Sequence, residues 1–144
     1  MIWDFFNKAF VINLDERQDR MSSIKSRLNL LDIEYERFPA IRPCQLGGFS
    51  NLGYYGATLS HLTLWQQIRE NGYDNTIIFE DDAIFRDDIN TIIPGIIEQL
   101  KSVDWEILYF GVVPYRTTGE ISPNLRELRS GVHFHAYAVN AKAL

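Results

Sequence analysis

An apolar run that stops abruptly at three consecutive carboxylates is the feature that most constrains the fold. Residues 76–79 are all β-branched or aromatic, and Glu80, Asp81 and Asp82 follow them directly. A run without polar alternation predicts a strand that is covered on both faces. Such strands occur in proteins whose helices pack on both sides of a mainly parallel sheet. The sequence therefore predicts an α/β fold with a mostly parallel central sheet.

The rest of the chain alternates between strand and helix patterns. Strands are predicted over residues 9–14, 34–38, 105–110 and 133–139, helices over 19–31, 55–70 and 87–100, and a helix start over 141–144. Apolar positions at helical spacing, such as Ile24, Leu28 and Leu31, indicate one buried face per helix. Pro94 predicts a kink or a break into two short helices. Residues 112–131 show no period and predict a long loop.

Composition excludes several classes of protein. The chain has 144 residues, with 46% hydrophobic and 23% charged, which suits one globular domain and excludes disordered and collagen-like chains. Its net charge of −5 argues against a general nucleic-acid binder. The single cysteine, Cys44, cannot form an internal disulfide and favours a reducing compartment. No apolar run approaches the roughly 20 residues of a membrane span, and the first residues lack the basic region of a signal peptide.

The carboxyl ends of the predicted strands should share one edge of the sheet, where ligands bind in α/β folds. Three places fall there: residues 13–15, residues 80–82 and Gly111. Adjacent carboxylates repel one another, and a hard divalent cation such as Mg²⁺ or Mn²⁺ offsets that repulsion. Because side chains alternate along an extended segment, Glu80 and Asp82 should share a face, with Asp81 opposed. The alternative is a solvated acidic turn.

Two arginines follow the first predicted strand and reach the same edge. Arg17 and Arg20 could bind phosphate through their fork of guanidinium donors. The alternative is pairing on the helix surface, with Asp15 or Glu16 bonded to Arg20. The sequence contains neither a Walker loop nor the glycine fingerprint of dinucleotide-binding folds.

Histidines supply the remaining candidates. Ser60 and His61 lie in the second long helix, where a lone histidine is more often a packed core residue than a base. His133 and His135 are spaced i, i+2 on a predicted strand, which leaves a zinc site possible. Trp65 is predicted to be core.

Five short segments, taken in order, resemble one family. They are FVINLDERQDR at residues 10–20, GATLSHLTLW at 56–65, IFEDDA at 78–83, WEILYFG at 105–111 and HAYAVNAKAL at 135–144. Together they resemble glycosyltransferase family 25, the lipooligosaccharide galactosyltransferases and their collagen-modifying relatives. The chain departs from the family pattern at Ala57, where the family usually has cysteine.

The resemblance implies a GT-A type α/β/α sandwich, which is Rossmann-like with a mostly parallel central sheet. It also implies transfer of a sugar, most often galactose from UDP-galactose, to a glycan in lipopolysaccharide, lipooligosaccharide or related glycan synthesis, with inversion. Asp82 and Glu80 would hold Mn²⁺ or Mg²⁺. The implied nucleotide-sugar-binding residues are Asn13, Asp15, Arg17, Arg20, Ser60, His61, Glu80 and Asp81. The catalytic base is unassigned, with His61 as its only candidate.

The resemblance also sets expectations for extent and setting. Family domains continue past the position of Leu144, so residues 1–144 are expected to form one domain that is incomplete at its C-terminus. The expected partners are a UDP-sugar donor and a glycan or lipid-linked glycan acceptor. The expected location is cytoplasmic, peripheral to the inner face of a bacterial inner membrane. Two alternatives remain: a truncated or inactive nucleotide-sugar-binding domain, and a nucleotidyltransferase of related fold.

Overall fold

The computed structural model describes residues 2–144 and contains a five-stranded sheet in the order β2-β1-β3-β5-β4. Along the chain the elements are β1 (Lys8–Asn13), α1 (Gln18–Leu30), β2 (Glu36–Pro39), α2 (Leu52–Glu70), β3 (Thr76–Glu80), α3 (Ile89–Leu100), β4 (Ile107–Ser122) and β5 (Leu125–Val139). A 3₁₀ turn at Ala141–Ala143 follows β5. The predicted alternation of strands and helices is confirmed, and the fold is α/β.

Helices cover both faces of the sheet, as the apolar run in β3 predicted. α1 and α3 pack on the face that carries Val11 and Phe79. α2 packs through Leu64 and Ile68 on the opposite face, which carries Phe10. All five of these side chains are at most 1% exposed. The sheet is therefore the middle layer of three.

The sheet is mixed, so the prediction of a mostly parallel sheet holds for four of its five strands and fails for β5. β1 pairs in parallel with β2 and β3, whereas β5 runs antiparallel to both β3 and β4. Only residues 123–124 separate β4 from β5. A connection of two residues can return the chain only as an antiparallel hairpin, since a parallel crossover needs a dozen residues or more.

The predicted loop at residues 112–131 is also wrong, because this segment forms the outer part of the β4–β5 hairpin. Residues 113–120 are all exposed, so apolar and polar residues have no reason to alternate there. The register shifts at several points, and each shift breaks the period of two that marks a strand. Gln99 of α3 anchors the end of the hairpin by accepting hydrogen bonds from Ser122 and Asn124.

α3 is one helix that contains Pro94, rather than two short helices. A proline inside a helix costs about 3 kcal/mol. Burial of Ile93, Ile97 and Leu100 offsets this cost, since each buried side chain of this size contributes about 1.5–3 kcal/mol. Among residues 2–144, no helix is both long and apolar enough to cross a membrane.

Candidate functional site

A cleft of about 340 Å³ opens at the carboxyl ends of β1 and β3, beside α2 and the residues that follow β2. Ile12 of β1 lies level with Glu80 of β3, so these two strands end at one edge, as predicted. Gly111 is close to the same level, because it pairs with Ala136 and Ala136 pairs with Phe79, although β4 continues beyond it. The predicted residues that line the cleft are Arg17, Arg20, Ser60, His61, Glu80 and Asp81.

Asp81, the middle carboxylate of the triplet, is tied into the framework below the cleft. Asn13 Nδ2 donates to Asp81 Oδ2 at 2.8 Å and to the carbonyl oxygen of Arg17 at 3.0 Å. Arg20 Nη1 reaches Asp81 Oδ1 at 3.1 Å. Asn13 and Asp81 are buried, at 1% and 8% exposure. Both oxygens of Asp81 thus have protein partners, and Asn13 supports the cleft without lining it.

Arg37 of β2, which the sequence did not single out, completes this framework. Its Nε donates to Asn13 Oδ1 at 3.0 Å and its Nη2 to the Asn13 carbonyl oxygen at 3.1 Å. The same guanidinium contacts Asp15. The Asp15 side chain is 80% exposed and pairs with Arg37 instead of facing the cleft. Asp15 therefore stays outside the lining of the cleft, next to Arg37.

Arg20 does not make the helix-surface pair that its spacing suggested. It bonds Asp81 at 3.1 Å and Asp82 Oδ2 at 3.3 Å, and neither Asp15 nor Glu16. The alternative of a local pair was wrong because α1 turns this side chain across the sheet edge toward β3. The Arg20 side chain is 40% exposed and keeps a positive charge beside the acidic triplet.

Two further arginines line the cleft. Arg17 hydrogen-bonds Asp19, and its guanidinium holds the pKa of the Asp19 carboxyl well below its usual range. Arg42, in the segment that follows β2, pairs with Glu16. Both pairs are at the surface, where an ion pair contributes little to stability, so these cations can exchange partners at low cost.

Glu80, Asp82 and His135 form a group whose ligand atoms all lie within 4.8 Å of one another. Glu80 and Asp82 come together as predicted, but not through an extended segment, because Asp81 and Asp82 lie in a turn in which Ala83 N donates to the Glu80 carbonyl oxygen at 3.1 Å. His135 Nδ1 lies 3.5 Å from Asp82 Oδ1 and 3.7 Å from Glu80 Oε2. Two carboxylates and one imidazole could hold a divalent cation, and the imidazole favours Mn²⁺ over Mg²⁺.

His135 was identified from the sequence only as half of a pair with His133. The structure separates the two histidines, because three residues of β5 stand opposite one residue of β4 at this point. His133 sits in that bulge with a left-handed φ of 56° and is exposed. The alternation of the strand is broken there, and His135 alone joins the acidic group within residues 2–144.

Ser60 is part of the wall of the cleft. Its Oγ accepts a hydrogen bond from Ile41 N at 2.8 Å and donates to the Gly56 carbonyl oxygen at 2.7 Å. Ser60 is fully buried. A Cβ on Gly56 would lie 2.6 Å from the Ile41 carbonyl oxygen, so only glycine allows this close approach. The hydroxyl of Ser60 is therefore used to fasten the segment after β2 to α2.

His61 links α2 to the acidic triplet. Its Nδ1 lies 2.7 Å from the Tyr137 hydroxyl and its Nε2 lies 3.4 Å from Glu80 Oε1. Trp65 Nε1 donates to the same hydroxyl at 2.9 Å. Burial raises the pKa of Tyr137 well above its usual range, so the hydroxyl keeps its proton. Because both ring nitrogens of His61 have partners, the geometry favours a positioning role over that of a base.

Comparison with known proteins adds to this geometry. The sequence profile of the family described as "Glycosyltransferase family 25 (LPS biosynthesis protein)" matches residues 50–128. "Procollagen galactosyltransferase 1-A" of Xenopus laevis is 28% identical, over 74% of this chain and 21% of its own length. "Glycosyltransferase 25 family member" of Anopheles gambiae is 23% identical, over 71% of this chain and 21% of its own length. "Inactive glycosyltransferase 25 family member 3" of Mus musculus is 23% identical, over 76% of this chain and 18% of its own length.

The chain spans about one fifth of the length of these relatives. One of the three is described as a galactosyltransferase and another as inactive.

Proposed function

Because the chain belongs to glycosyltransferase family 25, we propose that it binds a UDP-sugar and transfers the sugar to a hydroxyl group of a glycan. The observation that carries the proposal is the meeting of a cation-binding group with arginines at one cleft. Glu80 lines the cleft together with Arg17 and Arg20, and Glu80 belongs to the group with Asp82 and His135.

This combination suits a nucleoside diphosphate. A divalent cation in proteins is commonly bound by one or two carboxylates together with substrate phosphates. Guanidinium groups bind phosphate oxygens in pairs through their fixed fork of donors. The cleft offers both kinds of group at the end of a sheet, which is where α/β folds bind ligands.

Each residue takes a distinct part in the proposal. Glu80, Asp82 and His135 hold the cation, and Arg17 and Arg20 face the diphosphate. When bound, the cation would neutralise the charge that develops on the departing diphosphate. Asn13 and Asp81 hold Arg20 and the acidic triplet in place, by the hydrogen bonds described above. We assign no catalytic base.

Galactose is the sugar that we propose, because several of the similar proteins are described as procollagen galactosyltransferases. The family description names lipopolysaccharide biosynthesis, and we propose a glycan of that type as the acceptor. A lipid-linked acceptor would place the reaction at a membrane surface, at the inner face of the inner membrane in a bacterium.

A second candidate function is nucleotide-sugar binding without transfer. The observation in its favour is the similarity to a protein described as inactive, at 23% identity. Membership of the family favours either function over nucleotidyl transfer.

Calorimetric titration with UDP, in the presence and absence of Mn²⁺, tests the binding site. We expect Asp82→Asn to weaken Mn²⁺-dependent UDP binding at least tenfold, which is about 1.4 kcal/mol. Asp87→Asn is the matched control, because it removes the same charge from an exposed position outside the cleft. Equal UDP affinity of wild type and Asp82→Asn in the presence of Mn²⁺ would contradict the proposed role of Asp82 in binding the cation.

Product analysis then separates the two functions. Incubation with UDP-galactose and a lipooligosaccharide acceptor should release UDP and extend the glycan. Binding of UDP without any release of product would favour the second candidate.

A further inference from the structure

We infer that Trp65 and Tyr137 are positioning residues that hold His61 in one tautomer, and that His61 in turn aims Glu80 at the cation-binding group. The role of that group rests on the proposed function. The inference itself starts from four side chains that form a continuous series between α2, β5 and β3. The sequence predicted one of them, Trp65, as core and assigned nothing to Tyr137.

The direction of the series begins at Trp65. An indole N–H can only donate, so the Tyr137 oxygen must accept this hydrogen bond of 2.9 Å. The hydroxyl hydrogen of Tyr137 then needs another acceptor, and His61 Nδ1 is 2.7 Å away. Tyr137 is only 4% exposed. A buried hydroxyl without an acceptor costs about 1–3 kcal/mol, so this second hydrogen bond is strongly favoured.

The acceptor role of Nδ1 decides the state of His61. An imidazole nitrogen that accepts carries no hydrogen, which leaves the hydrogen on Nε2. Nε2 is the atom that faces Glu80 Oε1, at 3.4 Å. The opposite tautomer would turn a bare nitrogen toward a carboxylate and leave the Tyr137 hydroxyl unpaired. The three donors of the series, on Trp65, Tyr137 and His61, therefore all point along the series toward the Glu80 carboxylate, which accepts.

The carboxylate at the end of the series is then oriented. Glu80 Oε1 is held by His61, and Oε2 lies on the other side, 3.7 Å from His135 Nδ1. The Glu80 side chain is 34% exposed, and without a partner it would be free to rotate. Hydrogen bonds to the second oxygen of a ligand carboxylate orient it, and their loss typically lowers metal affinity 10–100-fold.

Nitrogen NMR of the His61 ring tests the first half of the inference, with the full chain free of metal and at mildly alkaline pH. We expect a pyridine-like Nδ1 and a pyrrole-like Nε2. Tyr137→Phe removes only the hydroxyl and should produce a mixture of tautomers. Tyr109→Phe is the matched control, because its ring lies 6.1 Å from that of Tyr137. Within residues 2–144 no hydrogen bond joins the Tyr109 hydroxyl to His61.

Mn²⁺ titration tests the second half. Tyr137→Phe should weaken Mn²⁺ binding about tenfold, and Tyr109→Phe should leave it unchanged. His61→Gln supplies an amide N–H near the position of Nε2 without needing Tyr137. In the His61→Gln background, Tyr137→Phe should therefore have no further effect on Mn²⁺ affinity.

Three results would overturn the inference: hydrogen on Nδ1 in the wild type, no tautomer change in Tyr137→Phe, or a changed tautomer with unchanged Mn²⁺ affinity. Failure of the proposed function looks different. In that case the wild type would show the expected tautomer and respond to Tyr137→Phe, but would not bind UDP with Mn²⁺.

Discussion

Asn13, the last residue of β1, donates a hydrogen bond of 2.8 Å to Asp81, the first residue after β3. The bond joins two buried side chains that are 68 positions apart in the chain. It ties Asp81, which also lines the cleft, into the framework and leaves Glu80 and Asp82 for the group with His135. The acidic triplet thus contains one structural carboxylate, Asp81, and two carboxylates that could bind a cation, Glu80 and Asp82.

Asn13→Leu should destabilise the protein by about 2–3 kcal/mol, because the buried Asp81 carboxylate and the Arg37 guanidinium would each lose a partner. The free energy of unfolding in urea measures this. Asn29→Ala, at an exposed position of α1, should stay within about 0.5 kcal/mol of wild type. Equal stability of Asn13→Leu and wild type would show that the bond contributes nothing.

Arg20→Gln should have opposite effects on two ligands. Loss of the positive charge near Asp82 should strengthen the binding of Mn²⁺ alone several-fold, since one charge at this range is worth about 1 kcal/mol in water. Under the proposed function, binding of UDP with Mn²⁺ should weaken at least tenfold, because Arg20 faces the diphosphate. Titrations with each ligand separate these effects, and parallel changes in both would contradict the proposed role of Arg20.

Gly56→Ala should lower stability by about 1–3 kcal/mol, although alanine is the better helix former. The new Cβ would lie 2.6 Å from the Ile41 carbonyl oxygen, which is backbone and cannot move cheaply. Gly95→Ala is the control, since its Cβ would meet only Asn124 Nδ2, at 3.5 Å. That variant should gain about 0.5–1 kcal/mol. Thermal unfolding compares the two, and a stabilised Gly56→Ala would refute the packing argument.

Stability should fall at alkaline pH, and Tyr137 should contribute to the fall. Burial raises the pKa of Tyr137 in the folded protein above its value of about 10 in the unfolded chain. The contribution is complete below about pH 10 and is lost as pH rises, because the unfolded state then releases a proton that the folded state keeps.

Urea unfolding between about pH 9 and pH 11 tests this dependence. Tyr137→Phe should show a shallower decline, by up to about 1.4 kcal/mol per pH unit. A decline remains in that variant because burial also raises the pKa of Tyr35 and Tyr109. Identical slopes in variant and wild type would contradict the assignment.

Local patterns in the sequence were sufficient to predict which strands are buried and which residues follow them at the edge of the sheet. The apolar run in β3 predicted cover on both faces, and this prediction is confirmed. Strand alternation was not the reason that Glu80 and Asp82 come together, because a turn begins directly after Glu80. The positions of the strand ends placed Arg17, Arg20, Glu80 and Asp81 at one edge, and the family resemblance added Ser60 and His61; all six line the cleft.

The partners of these residues depended on the tertiary structure. β5 returns antiparallel beside β3, and only this placement brings His135 to Asp82 and Tyr137 to His61. Arg37 reaches Asn13 because β2 lies next to β1. No short-range period encodes such contacts, since they join residues that are distant in the chain. The sequence by itself determined which groups stand at the sheet edge, and the packing of β2 and β5 decided what each group bonds.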